Sequence, residues 1–319
     1  MIDWPLADLI DDERALAWFE EHLHPQGFAC PYCHSPRRWR VARPPERRAH
    51  FPGYRCGACG RYYTLLTTTV FAGTKQRPAT LLLFLRGIAQ GESTARLGRE
   101  LGISRRQAHT LRQRLQYSVF ATRPQNPPVA QEVEVDELYQ NAGEKGKLHP
   151  DPQDPPRRRA LQLRGRGTFE SDRPPIFKVV ERGSGRVSFF VRRHVDGLTC
   201  LEVTAQAVRR LETTVYTDEW TGYKPLSRTL EVRHKTVCHQ VNEYARDDDG
   251  DDVREVHLNQ SEGEGTGLRN FLRPFRGVHK SYLAFYVAVY ELMRNAHQVT
   301  SDVLRRLCLD QTRLHLSCT

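Results

Sequence analysis

Gln131-Glu-Val-Glu-Val-Asp136-Glu137-Leu138 is the stretch that decides the fold class. Apolar and polar residues alternate along it, as they do in a strand, and the run ends on acids. Downstream, Ile176-Phe-Lys-Val-Val180 and Val187-Ser-Phe-Phe-Val191 flank Gly183-Ser-Gly185, which predicts a β-hairpin. Leu198 to Leu211 reads as a helix, and Thr213-Thr-Val-Tyr-Thr-Asp218-Glu219-Trp220 as a second strand ending on an acid. Asn259-Gln-Ser-Glu262 then opens a helical run through Leu268, Phe271, Leu272 and Phe275. Strand, hairpin, helix, strand and helix, with acids at two strand ends and one helix start, predict an RNase H-like α/β domain over 131–300.

The chemistry gives those acids a reason to be there. Phosphoryl transfer by two Mg²⁺ ions needs several carboxylates converging on a site about 4 Å across, facing the attacking and leaving oxygens. Asp136 and Asp218 lie 82 residues apart and Glu262 a further 44 along, each on a compatible element. A single strand-end carboxylate is most often only solvated; the ordered set of three is what points to catalysis.

Upstream, two cysteine pairs stand out, Cys30-Pro-Tyr-Cys33 and Cys56-Gly-Ala-Cys59, separated by 22 residues. Each C-x-x-C turn brings two thiolates to one side of the backbone, within about 2.3 Å bonding reach of a tetrahedral Zn²⁺. The gap leaves room for a hairpin, with strand content at Arg38–Val41, Tyr54-Arg55 and Tyr62–Leu65. Redox C-x-x-C pairs occur singly beside a βαβ pattern, which is not visible here, and disulfides do not suit a cytosolic chain. A structural zinc ribbon within 1–72 is the expectation, with Cys200, Cys238, Cys308 and Cys318 scattered and either buried or inert.

Between ribbon and strand, Lys75 to Ile88 reads as a helix begun near Pro78. Glu92 to Leu115 follows as two short helices, the first ended by Gly102 and the second capped by Ser104, with Ala95, Leu97, Leu101, Ile103, Ala108, Leu111 and Leu115 turned inward. This is a helix-turn-helix pattern, placed at 73–123. Its second helix offers Arg105, Arg106, Gln107, His109, Arg112 and Arg114 to phosphates and base edges; an ordinary surface hairpin is the plainer alternative. Pro124, Pro127 and Pro128 mark a linker at 124–130.

Charge supports this division. The 319 residues carry a net +10, and at about 150 residues per domain they suggest roughly two domains. Residues 1–21 hold seven acids and one Arg; 30–125 hold 18 bases and three acids; 126–319 hold 29 bases and 28 acids. A basic front half on a neutral back half suggests a polyanion-binding module joined to something else. The longest apolar run, Tyr282 to Tyr290, is far short of the roughly 20 residues of a membrane span. Met1 to Pro5 has neither a basic nor an apolar leader character, so the expected location is the cytoplasm, in association with the nucleoid.

Taken together, these residues resemble a family. Val135-Asp136-Glu137, Asn141 to Gly146, Tyr216 to Tyr223, His234 through His239, Val256 through Glu262, Leu268 through Lys280, Tyr282-Leu283 and Tyr286 to Asn295 are similar to the catalytic domain of DDE insertion-sequence transposases, in the ISXO2-like group with an N-terminal zinc ribbon. The segment Asp11 to His22 and the ribbon resemble that group's front end, so the likeness covers nearly the whole chain. It implies Asp136 and Asp218 as the first two catalytic aspartates, with Asn259 or Glu262 third; Glu262 is preferred because a carboxylate binds Mg²⁺ more strongly than an amide. Lys280 matches a downstream basic residue that contacts phosphate or developing charge. One departure is the glycine-rich Gly263 to Gly267, where many relatives are aromatic-rich.

The resemblance further implies binding of double-stranded DNA, both the element's terminal inverted repeats and target DNA, and Mg²⁺- or Mn²⁺-dependent cleavage and strand transfer. Water would be the first nucleophile and the freed 3′-hydroxyl the second, within a homo-oligomeric synaptic complex. A non-catalytic DNA-binding regulator (or decayed transposase) and an RNase H-like nuclease without strand transfer are the competing functions. Lys147 to Gly167 is a Pro/Arg-rich loop, Asp247 to Asp252 an exposed turn without calcium-loop spacing, and 301–319 a C-terminal tail.

Overall fold

The computed structural model describes residues 11–42, 50–123, 131–144, 153, 164–238, 241, 243–296, 298 and 300–308. The linker expected at 124–130, the loop at 147–167 apart from 153 and 164–167, His239, and 309–319 lie outside the described residues. By internal contacts the chain divides into two units, Met1–Arg123 with Ala296–Thr319, and Pro124–Asn295.

In the first unit, Asp11 caps α1 (Asp12–Leu23) by accepting from Arg14 N at 2.9 Å, satisfying a helix-start donor. Ala15, Trp18 and Phe19, at helical spacing, form its buried stripe. The strands β1 (Arg38–Arg40), β2 (Gly53–Cys56) and β3 (Tyr62–Thr64) make an antiparallel sheet in that order. Pro78 then starts α2 (Pro78–Ala89), where a missing N–H is tolerated. Two capped helices follow, α3 (Thr94–Glu100) behind Ser93 and α4 (Arg105–Thr122) behind Ser104. Between them Gly102 takes φ +64°, a conformation that a Cβ would penalise.

The second unit is built on a five-stranded sheet. Its strands are β4 (Glu132–Tyr139), β5 (Pro175–Glu181), β6 (Val187–Val191), β7 (Thr214–Asp218) and β8 (Arg233–Val237), ordered β6-β5-β4-β7-β8. The first three run antiparallel, and β7 and β8 continue parallel to β4. This is the arrangement read from the sequence as RNase H-like, with β8 added beyond it. Between β6 and β8 come α5 (Gly197–Ala205) and α6 (Leu226–Leu230); after them, β9 (Ala245–Arg246) pairs with β10 (Val256–His257), then α7 (Asn259–Leu272) and α8 (Leu283–Ala296).

Strand alternation sends one set of side chains to each face. Val133, Val135, Phe177, Val179 and Val215 pack with Cys200 and Val203 of α5 and Leu226 of α6. Leu138, Ile176, Val180 and Phe189 pack on the other face with Leu268 and Leu272 of α7 and Leu283 and Val287 of α8. Helices on both faces of a mixed sheet give the α/β class expected.

Two expectations are corrected. The helix expected to reach Leu211 ends at Ala205: Leu198 and Leu211 are solvent-exposed, and Leu211 sits at φ +62°. The stretch expected as a tail from 301 forms α9 (Ser301–Cys308), which buries Val303, Leu304, Leu307 and Cys308 against α1, α2 and α4 of the first unit. Its apolar pairs at helical spacing make it a packing element.

Candidate functional site

Asp136 stands directly opposite Lys178 in the β4–β5 register. The lysine side chain is 4% exposed and its Nζ lies 2.5 Å from Asp136 Oδ2, while Oδ1 accepts from Glu137 N at 2.8 Å. Along β4 and β7, Glu132 pairs with Thr214, Val133 with Val215 and Glu134 with Tyr216. Asp136 and Asp218 each lie two residues beyond the last of these pairs, and alternation puts both on the face that carries Glu134 and Tyr216. Asp218 closes β7, and its Oδ1 accepts from Trp220 N at 3.1 Å, which turns the chain there.

The same sheet face receives α7, and a buried carboxylate fixes where that helix begins. Glu134, fully buried, accepts from Ser261 N at 2.8 Å through Oε2 and from Arg182 Nε at 3.0 Å through Oε1. Arg182 also donates to Glu255 O at 2.6 Å and to His257 O, and its guanidinium stacks on the Tyr216 ring at 3.5 Å. One turn on, a Cβ at Gly265 would stand 3.1 Å from Lys178 Nζ. Glu262 is therefore one residue beyond the Glu134 contact and three before the Lys178 contact. It is exposed in the first turn of α7, and Asn259, also exposed, is the helix's first residue. The glycine-rich departure does not break the helix. A Cβ at Gly267 would come within 2.2 Å of the Tyr290 hydroxyl, so that glycine lets α8 approach.

Glu137 points to the opposite side of β4 from Asp136. Its Oε2 accepts from the Tyr223 hydroxyl at 2.7 Å, and burial, followed by the charges of Asp136 and Asp218, pushes its pKa up to about 7 against that hydrogen bond. Glu137 thus feels both aspartates from across the strand. Among the described residues, three or more metal-ligating groups within 4.8 Å occur at Cys30, Cys33, Cys56 and Cys59 and at Asp247, Asp249 and Glu255; Asp136, Asp218 and Glu262 form no such group. The Asp247 cluster is the exposed turn expected: Asp247 accepts from Gly250 N at 2.6 Å and Asp252 N at 2.9 Å, and Glu255 pairs with Lys235 at 2.9 Å.

Lys280, expected to meet phosphate or developing charge, is held by two carboxylates. Its Nζ lies 2.9 Å from Asp172 Oδ1 and 3.5 Å from Glu144 Oε1, with Asp172 fully buried. Its backbone N donates to Gly143 O at 2.8 Å, so it ties together the Asn141–Glu144, Asp172 and Lys280 segments.

In the first unit, the four cysteines come together from the two turns flanking the sheet. Cys30 Sγ lies 3.7 Å from Cys59 Sγ, and Cys33 Sγ 3.5 Å from Cys56 Sγ. A tetrahedron with metal–sulfur bonds of about 2.3 Å has edges of about 3.8 Å, so the donor set fits one tetrahedral ion. The N–H of Cys59, followed by that of Ala58, points at Cys56 Sγ and lowers its pKa to about 6 against the effect of burial. All four are free thiols.

The paired helices α3 and α4 separate the expected contact residues. Arg105, Arg106, His109 and Arg114 are exposed and Gln107 is half-buried. Arg112 is a correction: it is fully buried, with Nε donating to Thr94 Oγ1 at 2.8 Å and a second nitrogen to Glu92 O. It falls inside the stripe of Ala108, Leu111 and Leu115, so it joins α4 to the start of α3 instead of facing outward.

Residues 128–295, the length of the second unit, match the ISXO2-like transposase domain family. The chain belongs to that family. An uncharacterized protein in transposable element ISH50 of Halobacterium salinarum is 30% identical over 299 residues, covering 91% of this chain and 93% of that protein. Among solved structures, the catalytic core domain of BIV integrase is similar at 14% identity and a TM-score of 0.29, covering 51% of this chain and 83% of that one. A pre-cleavage Mos1 transpososome gives 11% identity and a TM-score of 0.22, covering 67% and 75%. Among the described residues of this transposase-family chain, no helix is long and apolar enough to cross a membrane.

Sequence reading passed over Lys178, Glu134 and Arg182. Lys178 left a signal, a lone cation in the otherwise apolar run Ile176 to Val180. Glu134 shares parity with Asp136 in the alternating strand, but only the position of α7 shows what it holds.

Proposed function

We propose that this chain is the transposase of an insertion sequence, binding the element's ends and catalysing metal-dependent DNA cleavage and strand transfer. The observation that carries the reading is the placement of Asp136 and Asp218 on adjacent parallel strands, on the face that α7 covers. Carboxylate oxygens there suit Mg²⁺ or Mn²⁺, held by Asp136, Asp218 and either Glu262 or Asn259, and the ions would supply Lewis-acid activation of the nucleophile. Lys178 fixes Asp136 in the orientation this requires, and Glu134 with Arg182 fixes the start of the helix that carries Asn259 and Glu262. The DNA-binding part falls to the first unit. Its cysteines suit a structural Zn²⁺, and α3 with α4 forms a helix-turn-helix whose Arg105, Arg106, Gln107, His109 and Arg114 meet DNA. Bringing two ends together calls for a dimer or larger assembly.

The test incubates purified protein with labelled double-stranded element ends, target plasmid and Mg²⁺ or Mn²⁺. Joined product supports this reading. Cutting without joining marks a nuclease, and binding without cutting marks a regulator.

A further inference from the structure

The ribbon sheet carries a feature that helix-mediated end binding does not use. Between Phe28 and Ala72 the chain has eight arginines and a single acid, Glu46, so this module is set up for a polyanion. Strand pairing puts Trp39 opposite Arg55 and Arg55 opposite Tyr62, one cross-strand row on a single face. Arg37, whose carbonyl accepts from Gly57 N at 2.8 Å, continues that face two residues before Trp39. The opposite face is covered: Phe28 packs there against Tyr54 and Tyr63, with Arg38 over it.

The Trp39 row remains open to solvent. Trp39 is 54% exposed and Tyr62 38%, and Arg37 and Arg55 are exposed beside them. Apolar surface of this size on a three-stranded sheet is not there for the core. The Tyr62 side chain occupies the space a side chain at Gly53 would fill, its hydroxyl 2.2 Å and its nearest ring carbon 2.6 Å from that Cβ position, so it lies across β2. The result is an indole and a phenol on one sheet face with Arg37 and Arg55 on the same face, where the Arg55 guanidinium also donates to Gly60 O at 3.1 Å.

We propose that this face is a stacking platform for an unpaired base of a DNA strand, with the base on Trp39 and the adjoining phosphates met by Arg37 and Arg55. Stacking on an indole needs a base whose π-face is free, which a closed duplex does not offer away from its terminus. The platform would therefore engage DNA where strands part, leaving duplex contacts to α4. It rests on the reading that this chain handles DNA, and it narrows the form of DNA the ribbon takes.

The experiment uses the full chain purified with zinc, as wild type, Trp39→Ala and Trp39→Phe. Anisotropy of a labelled oligothymidylate and of a labelled element-end duplex gives affinities, and tryptophan emission reports on the ring itself. The expected result is about a tenfold loss of oligothymidylate affinity in Trp39→Ala, the scale of losing one stacked base. Trp39→Phe should keep most of the affinity while losing the emission quench seen with wild type, and duplex binding should be the same in all three. Unchanged oligothymidylate binding in Trp39→Ala overturns the proposal, as does an equal loss for both probes at unchanged zinc content. If Trp39→Ala loses zinc, Trp39→Phe decides the matter: a quench as large as wild type places the base elsewhere and overturns it. Wild type that binds the duplex and not the single strand defeats the platform alone; wild type that binds neither defeats DNA handling as well.

Discussion

The four cysteines and the three acidic positions are both candidate metal sites, and the protein assembles them in opposite ways. Cys30, Cys33, Cys56 and Cys59 are already within tetrahedral spacing, because each pair is placed by its own tight turn and only one sheet has to bring the two turns together. Asp136, Asp218 and Glu262 come from two strands and a helix, and Asp136 is paired with a buried lysine. The cysteines can crowd because Cys56, lowered to about 6, sheds its proton beside thiols that keep theirs, whereas carboxylates brought together without a cation repel one another; the burial and nearby charges that raise Glu137 to about 7 express that cost. The cysteine donors are thus already gathered, whereas the acids are not, and Asp136 carries a lysine counter-ion.

The largest effect should come from the acids themselves. Asp136→Ala and Asp218→Ala are each expected to lower strand joining by roughly a hundredfold or more, since several kcal/mol of metal-derived stabilisation is lost. End binding should persist, as measured by gel shift beside the joining assay; normal turnover in either variant would remove the site assignment. Next, Cys56→Ser is expected to reduce bound zinc and end binding together, because a structural zinc site contributes folding energy directly. Zinc content by elemental analysis tests it, and full zinc occupancy would break the contrast drawn above.

Lys178→Met probes the counter-ion. Removing the ammonium leaves Asp136 without its partner, and unfolding in magnesium-free denaturant should show a loss of about 2 kcal/mol, reduced from the fully buried case because Asp136 is 21% exposed. Millimolar Mg²⁺ should restore part of that loss by replacing one cation with another, and a variant indifferent to Mg²⁺ would argue against a metal at Asp136. The smallest effect lies at His234. Its Nε2 is 2.8 Å from Thr217 Oγ1, and burial lowers its pKa below 6.5. The unfolded chain then binds the proton first as pH falls, so stability decreases from about pH 6.5 downward, and His234→Asn should flatten that slope in melts run across the range.

Much of the fold was legible because strands and caps are local. Alternation from Gln131 to Leu138, the hairpin about Gly183-Ser-Gly185, and Ser104 ahead of α4 each follow from a few adjacent residues. Strand β8 was missed because Arg233-His-Lys-Thr-Val237 is polar, and pairing with β7 alone makes it a strand. Arg112 was misassigned because an arginine reads as surface until the neighbouring helix supplies Thr94 Oγ1 and Glu92 O.

By itself the sequence determined what depends on near neighbours: two C-x-x-C turns, alternating strands that carry Asp136 and Asp218, and a basic front half, although the first strand runs past its acids to Tyr139. Only the tertiary structure decided what depends on desolvation and distance. It paired Asp136 with Lys178, seated the start of α7 on Glu134, turned Lys280 toward Asp172 and left Trp39 uncovered. The reason is that a charge's partner is fixed by what excludes water around it, and that exclusion comes from elements far away along the chain.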